Sequence, residues 1–355
     1  MPHSLKTRLK DILAARGGSL CFSEFMQHAL YDSRDGYYTN FINAIGHRGD
    51  FSTSATLSSS FGLTLSNWLR SVRPLLGTWR WHVIEIGGGS GQLAESILKS
   101  LSWRERVFLQ YGIVEKSPPL LRHQQQKLAP LGVKWFGTVE EALHDADGCA
   151  VLFSNELVDA FPCHSLQWDG RRWNELHLTL DEAEEIQEEW RPLPPEFTGE
   201  NPSSLFTGHA PLSQWQRCEL HSSYLEWQRK WVPFFKKGAF LTIDYGDIFP
   251  ELYHRRPDGT LRAYFNHITL EGKDIYRRMG HQDITADVNF TDLQRWGESI
   301  GLKNDFLINQ RDFFAKFLPH AEALIANHPE LHFLANPDGA GTAFKVLCQS
   351  PNSNI

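Results

Sequence analysis

Apolar positions at the start of the chain recur at helical spacing. Leu5, Leu9, Ile12 and Leu13 predict a short amphipathic helix ending at Gly17-Gly18, and residues 1–75 read as mostly helical, with an irregular Gly- and Ser-rich stretch near 46–60. From residue 80 the period changes. "WHVIEIG" is a β-rich apolar run, followed by "QLAESILKSL" at helical period. "FLQYGIVEKS" and "PPLLRHQQQKLAPLG" repeat the pair, with prolines opening the helix. "VKWFGTVEEAL" gives a third strand and helix, and "CAVLFSNELVDAFP" a fourth strand running into a turn. Strands alternating with helices predict an α/β fold with a parallel, doubly wound sheet.

The alternation then breaks. "SLQWDGRRWNELHLTL" predicts a hairpin turning at Asp169-Gly170. Residues 181–215 are acidic, then rich in Pro, Ser and Gly, and are expected to form an exposed loop. A helix through "SYLEWQRKWVPFF" leads to "KGAFLTIDYG", an apolar strand ending in Asp244 and Tyr245, and "GTAFKVLCQ" is expected at a sheet edge. The chain therefore divides into an N-terminal mostly helical region (1–78), a Rossmann-like core (79–250) with an insertion at about 164–230, and a C-terminal α+β region (251–355) that completes the sheet and the substrate site.

Composition narrows the classes of function. With 41% hydrophobic and 22% charged residues in 355, the chain can build a sizeable core without staples. A net charge of -7 and the lack of a basic run argue against a nucleic-acid partner held through phosphates. Five cysteines show no CxxC or CxC spacing, and the histidines form neither HxH nor HExxH, so no metal site is expected. An odd number of scattered cysteines suits a reducing compartment. No apolar run approaches the ~20 residues that span a bilayer. Lys6, Arg8, Lys10 and Arg16 resemble a targeting segment, but Asp11 interrupts them and the apolar spacing favours a helix of the fold. The expected location is the cytoplasm of a bacterium, or the mitochondrial matrix in a eukaryote.

The sharpest local signal is Glu85-Ile86-Gly87-Gly88-Gly89-Ser90-Gly91, between a strand and a helix. Glycines there permit a tight turn and close approach of a ligand to the backbone, beside the N–H groups of a helix start. Gln92 replaces the last small residue of a dinucleotide fingerprint and the last glycine of a nucleophile elbow, and no Gly-Lys-Ser/Thr follows as in a phosphate-binding loop. An acidic residue followed by GxGxG suits a cofactor with an adenosine and a cationic amino-acid tail but no phosphate. A merely tight turn is the bland alternative. Glu115 ends the next strand, where a ribose diol is held, or where a solvated carboxylate simply sits. Asn155, Glu156 and Asp159 follow the fourth strand, at the carboxyl edge where open α/β sheets bind ligands. Carboxylates there can hold a cationic nucleophile or take its proton, and Asn155 or Asp159 can equally cap a helix.

Together these blocks resemble the MidA (mitochondrial dysfunction protein A) family of S-adenosylmethionine-dependent methyltransferases. "FSEFMQHALYDSRDGYYTN", "GDFSTSATLSSSFG", "VIEIGGGSGQL", "SNELVDAFP", "FLTIDYG" and "GHQDITADVNF" are similar to its blocks and occur in the same order along nearly the whole chain. The resemblance implies a Rossmann-like methyltransferase core with N-terminal helical and C-terminal α+β additions. It also implies symmetric dimethylation of an arginine in a respiratory complex I subunit. Carried over by position, Gly87, Gly89 and Gly91 form the S-adenosylmethionine loop, Glu115 holds the ribose and Glu156 is the leading substrate carboxylate. From their own places in the sequence, Glu85 and Asn155 are further expected cofactor-binding residues, and Asp159 is expected to assist Glu156 or to accept a proton. The loop carries Gly88 and Ser90 where the family has proline and arginine, and Ala55-Thr56 stand where it has Pro-Glu.

Two other readings remain open at this stage. One is a small-molecule O- or N-methyltransferase whose pocket is shaped by the long insertion. The other is a non-catalytic cofactor-binding assembly factor that uses some of its twelve tryptophans as an interface; ordinary packing explains them as well.

Overall fold

The computed structural model describes residues 5–42, 59–193, 213–266, 268–327, 329–336 and 339–352. Most of the Gly/Ser-rich stretch, including Ala55 and Thr56, lies outside them. The chain forms two compact units that interleave along the sequence. One comprises residues 1–41, 158–224 and 248–289, and the other 42–157, 225–247 and 290–355.

The second unit contains the sheet predicted by the strand–helix alternation. Its strands are β1 (Trp81–Ile86), β2 (Leu109–Val114), β3 (Lys134–Phe136), β4 (Cys149–Asn155), β5 (Lys237–Asp247), β6 (Leu302–Asn309) and β7 (Phe344–Pro351). They lie in the order β3-β2-β1-β4-β5-β7-β6. β1 to β5 run parallel, while β7 runs antiparallel to both β5 and β6. Successive side chains of a strand face opposite sides, and here each side feeds its own core. Val83, Ile113, Val151, Phe153 and Leu241 meet the helices Ser59–Val72 and Gln92–Ser100. Ile84, Ile86, Val114, Leu152 and Phe240 pack with Val139, Leu143 and Trp231. A strand buried on both faces reads as a continuous apolar run, which is why β1, β4 and β5 stand out in the sequence.

One expectation is corrected here. The C-terminal strand is not at an edge: β7 lies between β5 and β6, pairing Phe240 with Gln349 on one side and Leu302 with Pro351 on the other. Its Val346, Leu347 and Cys348 are accordingly buried.

The first unit is mostly antiparallel. The predicted hairpin forms from His164–Trp168 and Trp173–Leu180, with Trp168 paired to Trp173. Asp169 accepts the N–H groups of Arg171 and Arg172 at 2.8 and 2.9 Å, and Gly170 adopts φ +96°, which closes the turn. The segment expected as a loop contains a strand, Ile186–Pro192, which pairs with Trp173–Leu180 from Leu180↔Ile186 to Asn174↔Pro192. Residues 194–212 lie outside the described residues. A second sheet of Ile268–Leu270, Arg262–Phe265 and Asp283–Thr285 completes the unit.

The N-terminal helix, Leu5–Ala15, belongs to this unit: Leu9 and Leu13 are buried, and Arg8 pairs with Asp32 and Asp35. Burying a leucine is worth roughly 1.5–3 kcal/mol. Deleting residues 1–18 should therefore lower the melting temperature by roughly 5 °C or more. A scanning-calorimetry trace unchanged by the deletion would show that the helix contributes nothing to the fold.

Candidate active site

In an open α/β sheet the ligand crevice forms where the strand order reverses, outside the carboxyl ends of the strands. In the second unit that point lies between β1 and β4. The loop after β1 turns through left-handed backbone at Gly87 (φ +75°), Gly89 (+52°) and Gly91 (+70°) before the helix Gln92–Ser100 begins. The Gly87 N–H donates to the Val114 carbonyl at 2.9 Å, and the Gly91 N–H to that of Gly88 at 2.8 Å. A side chain at Gly87 would meet Leu157 Cδ1 at 2.9 Å, so the loop after β1 lies directly against the turn after β4.

Glu85 sits beneath this loop rather than in open solvent. It is buried and accepts the Tyr111 hydroxyl at 2.8 Å. Burial pushes its carboxyl up to about 8; the Tyr111 bond pulls the other way and the charge of Glu115 adds to the rise. An unfolded glutamate ionises near 4.5. Between these values the unfolded chain holds fewer protons than the folded one, so folding stability falls as pH rises, by on the order of 1.4 kcal/mol per unit at most. Denaturation at pH 5 to 8 should show this decline, and Glu85→Gln should flatten it. Identical pH profiles for the two proteins would mean that Glu85 titrates normally.

Glu115 directly follows β2 in a half-buried position. Its Oε1 accepts the Ser117 N–H and its Oε2 the Gln124 side chain, both at 2.9 Å. Burial raises its pKa, while N–H bonds from Ser117, Gln124, Lys116 and Gly89 oppose the rise. Gln124 also donates to the Gly89 carbonyl at 2.9 Å and accepts the Trp135 indole N–H at 3.1 Å, tying the glycine loop to Glu115. No motif marks Gln124 in the sequence; its one signal is a polar side chain in the buried stripe Leu120, Gln124, Leu128 of the helix Pro118–Leu128.

At the end of β4, Ser154 Oγ and Asn155 Oδ1 are buried without a hydrogen-bond partner among the described residues. Orphaned polar atoms are rare in native interiors, and their place at the crevice fits a polar ligand. Glu156 has φ +51°, uncommon for a residue other than glycine. That backbone is held from several sides. The Glu156 N–H donates to the Ile243 carbonyl at 2.9 Å, and the Asn155 side chain donates to Glu156 Oε1 at 3.2 Å. Asp244, fully buried at the end of β5, accepts the N–H groups of Leu157 at 3.1 Å and Tyr245 at 3.0 Å. Asp244 thus fixes the turn. The second unit therefore gathers Glu85, the glycine loop, Glu115, Asn155 and Glu156 at the carboxyl ends of β1, β2 and β4. Asp159 belongs to the first unit, where it is buried and its carbonyl accepts the Ala286 N–H at 3.1 Å.

The strand order, the glycine turn after β1 and the acidic residue after β2 define a Rossmann-like fold with a cofactor crevice at its switch point. The family model described as "Putative S-adenosyl-L-methionine-dependent methyltransferase" matches residues 64–307, and the chain belongs to that family. It is 27% identical to the Drosophila melanogaster protein arginine methyltransferase NDUFAF7 homolog, mitochondrial, over 94% of this chain and 82% of that one. It is 25% identical to human protein arginine methyltransferase NDUFAF7, mitochondrial, over 79% and 66%. A Burkholderia thailandensis crystal structure bound to S-adenosyl-homocysteine shares the fold. The TM-score is 0.84 at 24% identity, with 99% of this chain and 93% of that one covered.

Proposed function

We propose that this methyltransferase modifies an arginine side chain of a protein. The observation that carries the reading is Glu156, a carboxylate held in left-handed backbone at the carboxyl edge of the sheet by Ile243, Asn155 and the Asp244-braced turn. A carboxylate in that position can pair with two N–H groups of a guanidinium, fix its plane and localise its charge, which favours attack by the remaining nitrogen. The names of the relatives, protein arginine methyltransferases, support the same acceptor class. A respiratory-complex subunit is the proposed partner, by analogy with the MidA family.

S-adenosylmethionine supplies the activated methyl group. Gly87, Gly89 and Gly91 are proposed to cradle it through their backbone, Glu85 to support the loop, Asn155 to meet its polar groups and Glu115 to accept hydrogen bonds from its ribose. The remaining tasks of the protein are to orient the acceptor and stabilise its charge. Asp159 is proposed to assist with the acceptor. The proposed site of action is the bacterial cytoplasm, or the mitochondrial matrix in a eukaryote; among the described residues no helix is long and apolar enough to cross a membrane.

The test is to incubate the protein with methyl-labelled S-adenosylmethionine and a lysate of its own cells, then separate macromolecules from small molecules by filtration. Label is expected in the protein fraction. Label confined to the small-molecule filtrate would overturn the protein half of the proposal.

A further inference from the structure

In the first unit, two stacked tyrosines join three segments that lie far apart in the sequence. The rings of Tyr31 and Tyr38 lie 5.6 Å apart with 17° between their planes. The Tyr31 hydroxyl donates to the Ala160 carbonyl at 2.9 Å. The neighbouring Asp159 carbonyl accepts the Ala286 N–H at 3.1 Å and a ring N–H of His221. Ala286 directly follows the strand Asp283–Thr285, and Asp283 Oδ1 accepts the Tyr38 hydroxyl at 2.9 Å. The contacts thus close a ring, from Tyr31 through 159–160 and 283–286 to Tyr38 and back to Tyr31.

Asp159 and Asp283 are both buried, and burial with the charges of Asp283, Tyr31 and Asp159 keeps Tyr38 a neutral donor. Thr285 is the observation that points to a ligand. It lies two residues from Asp283 on one strand, so both side chains face the same side. Its Oγ1 is buried and has no hydrogen-bond partner among the described residues. Arg262, opposite Thr285 in the register, is held by Asp287, the Thr260 carbonyl and the Tyr264 hydroxyl.

Aromatic faces, carboxylates and a hydroxyl acceptor together match a planar cation. A guanidinium stacks on tyrosine and forks onto a carboxylate, whereas an ammonium is a point charge that uses neither feature as well. We propose that Tyr31, Tyr38, Asp159, Asp283 and Thr285 form a receptor for a guanidinium side chain of the acceptor polypeptide, an inference that rests on the arginine-bearing acceptor proposed above.

The experiment is calorimetric titration of the full chain with Nα-acetyl-arginine methylamide, its norleucine counterpart serving as the neutral control. S-adenosylhomocysteine binding reports on folding. The arginine probe is expected to bind saturably and the norleucine probe not at all. Asp283→Asn should weaken the arginine probe about tenfold or more while leaving S-adenosylhomocysteine affinity intact. Tyr38→Phe, which keeps the ring and removes the hydroxyl that holds Asp283, should weaken it less. If Asp283→Asn also loses S-adenosylhomocysteine, Thr285→Val, close in shape, decides the matter: unchanged arginine affinity overturns the receptor. Equal binding of both probes, no binding of the arginine probe by the unaltered protein, or unchanged affinity in folded Asp283→Asn overturns it too. The two proposals fail separately. Absence of label from guanidino nitrogens removes the arginine acceptor. Labelled arginine with an unchanged KM in Asp283→Asn removes only the receptor.

Discussion

Replacing Glu156 by glutamine is expected to lower kcat by roughly a hundredfold or more, about 3 kcal/mol of transition-state stabilisation, with little change in cofactor affinity. The substitution isolates charge from shape. A glutamine retains the oxygen that accepts the Asn155 side chain, and the backbone bond to Ile243 does not involve the side chain. The left-handed turn braced by Asp244 should therefore persist. What disappears is the negative charge that would localise the guanidinium cation. Steady-state rates with calorimetric S-adenosylhomocysteine binding test this. A variant that keeps most of its activity would reduce Glu156 to a residue that merely orders the loop.

Replacing Gly89 by valine should abolish detectable cofactor binding in a protein that still folds. Gly89 adopts φ +52°, where a β-branched residue is strained by roughly 1–2 kcal/mol. The position is also tied into the site. Its carbonyl accepts Gln124, and its N–H bonds to the Glu115 carboxylate. A branched side chain would disturb the turn and the anchoring of Glu115 together, where the cofactor is proposed to approach the backbone. Unchanged calorimetric affinity in folded Gly89→Val would remove the glycine loop from the cofactor site.

The parts of the fold written in short-range pattern were legible. The runs around Val83, Ile113 and Val151 feed cores on both faces of a parallel sheet, so their uninterrupted apolar character announced them. The hairpin at Asp169-Gly170 was visible because its turn chemistry is local. The strand Ile186–Pro192 was hidden because its polar, acidic composition resembles a loop and only pairing with Trp173–Leu180 makes it a strand. The interior position of β7 was hidden for a related reason: whether a strand has one neighbour or two depends on a distant segment, here Leu302–Asn309.

The candidate site divides in the same way. Glycine spacing and strand-end carboxylates pointed to Glu115 and Glu156 from sequence alone. The bonds that position them run through Gln124 and Asp244, and each joins segments separated in the chain. No local period encodes such pairings. The left-handed backbone of Glu156 was also invisible, since glutamate carries no sequence preference for it.

The central claim is that this methyltransferase acts on a protein arginine. The most direct measurement is fragmentation mass spectrometry of proteins from its own cells after incubation with the enzyme and methyl-labelled S-adenosylmethionine. The account predicts labelled methyl groups on guanidino nitrogens, strongly diminished with Glu156→Gln. Label carried only by neutral groups, or equally abundant with the variant, would contradict it.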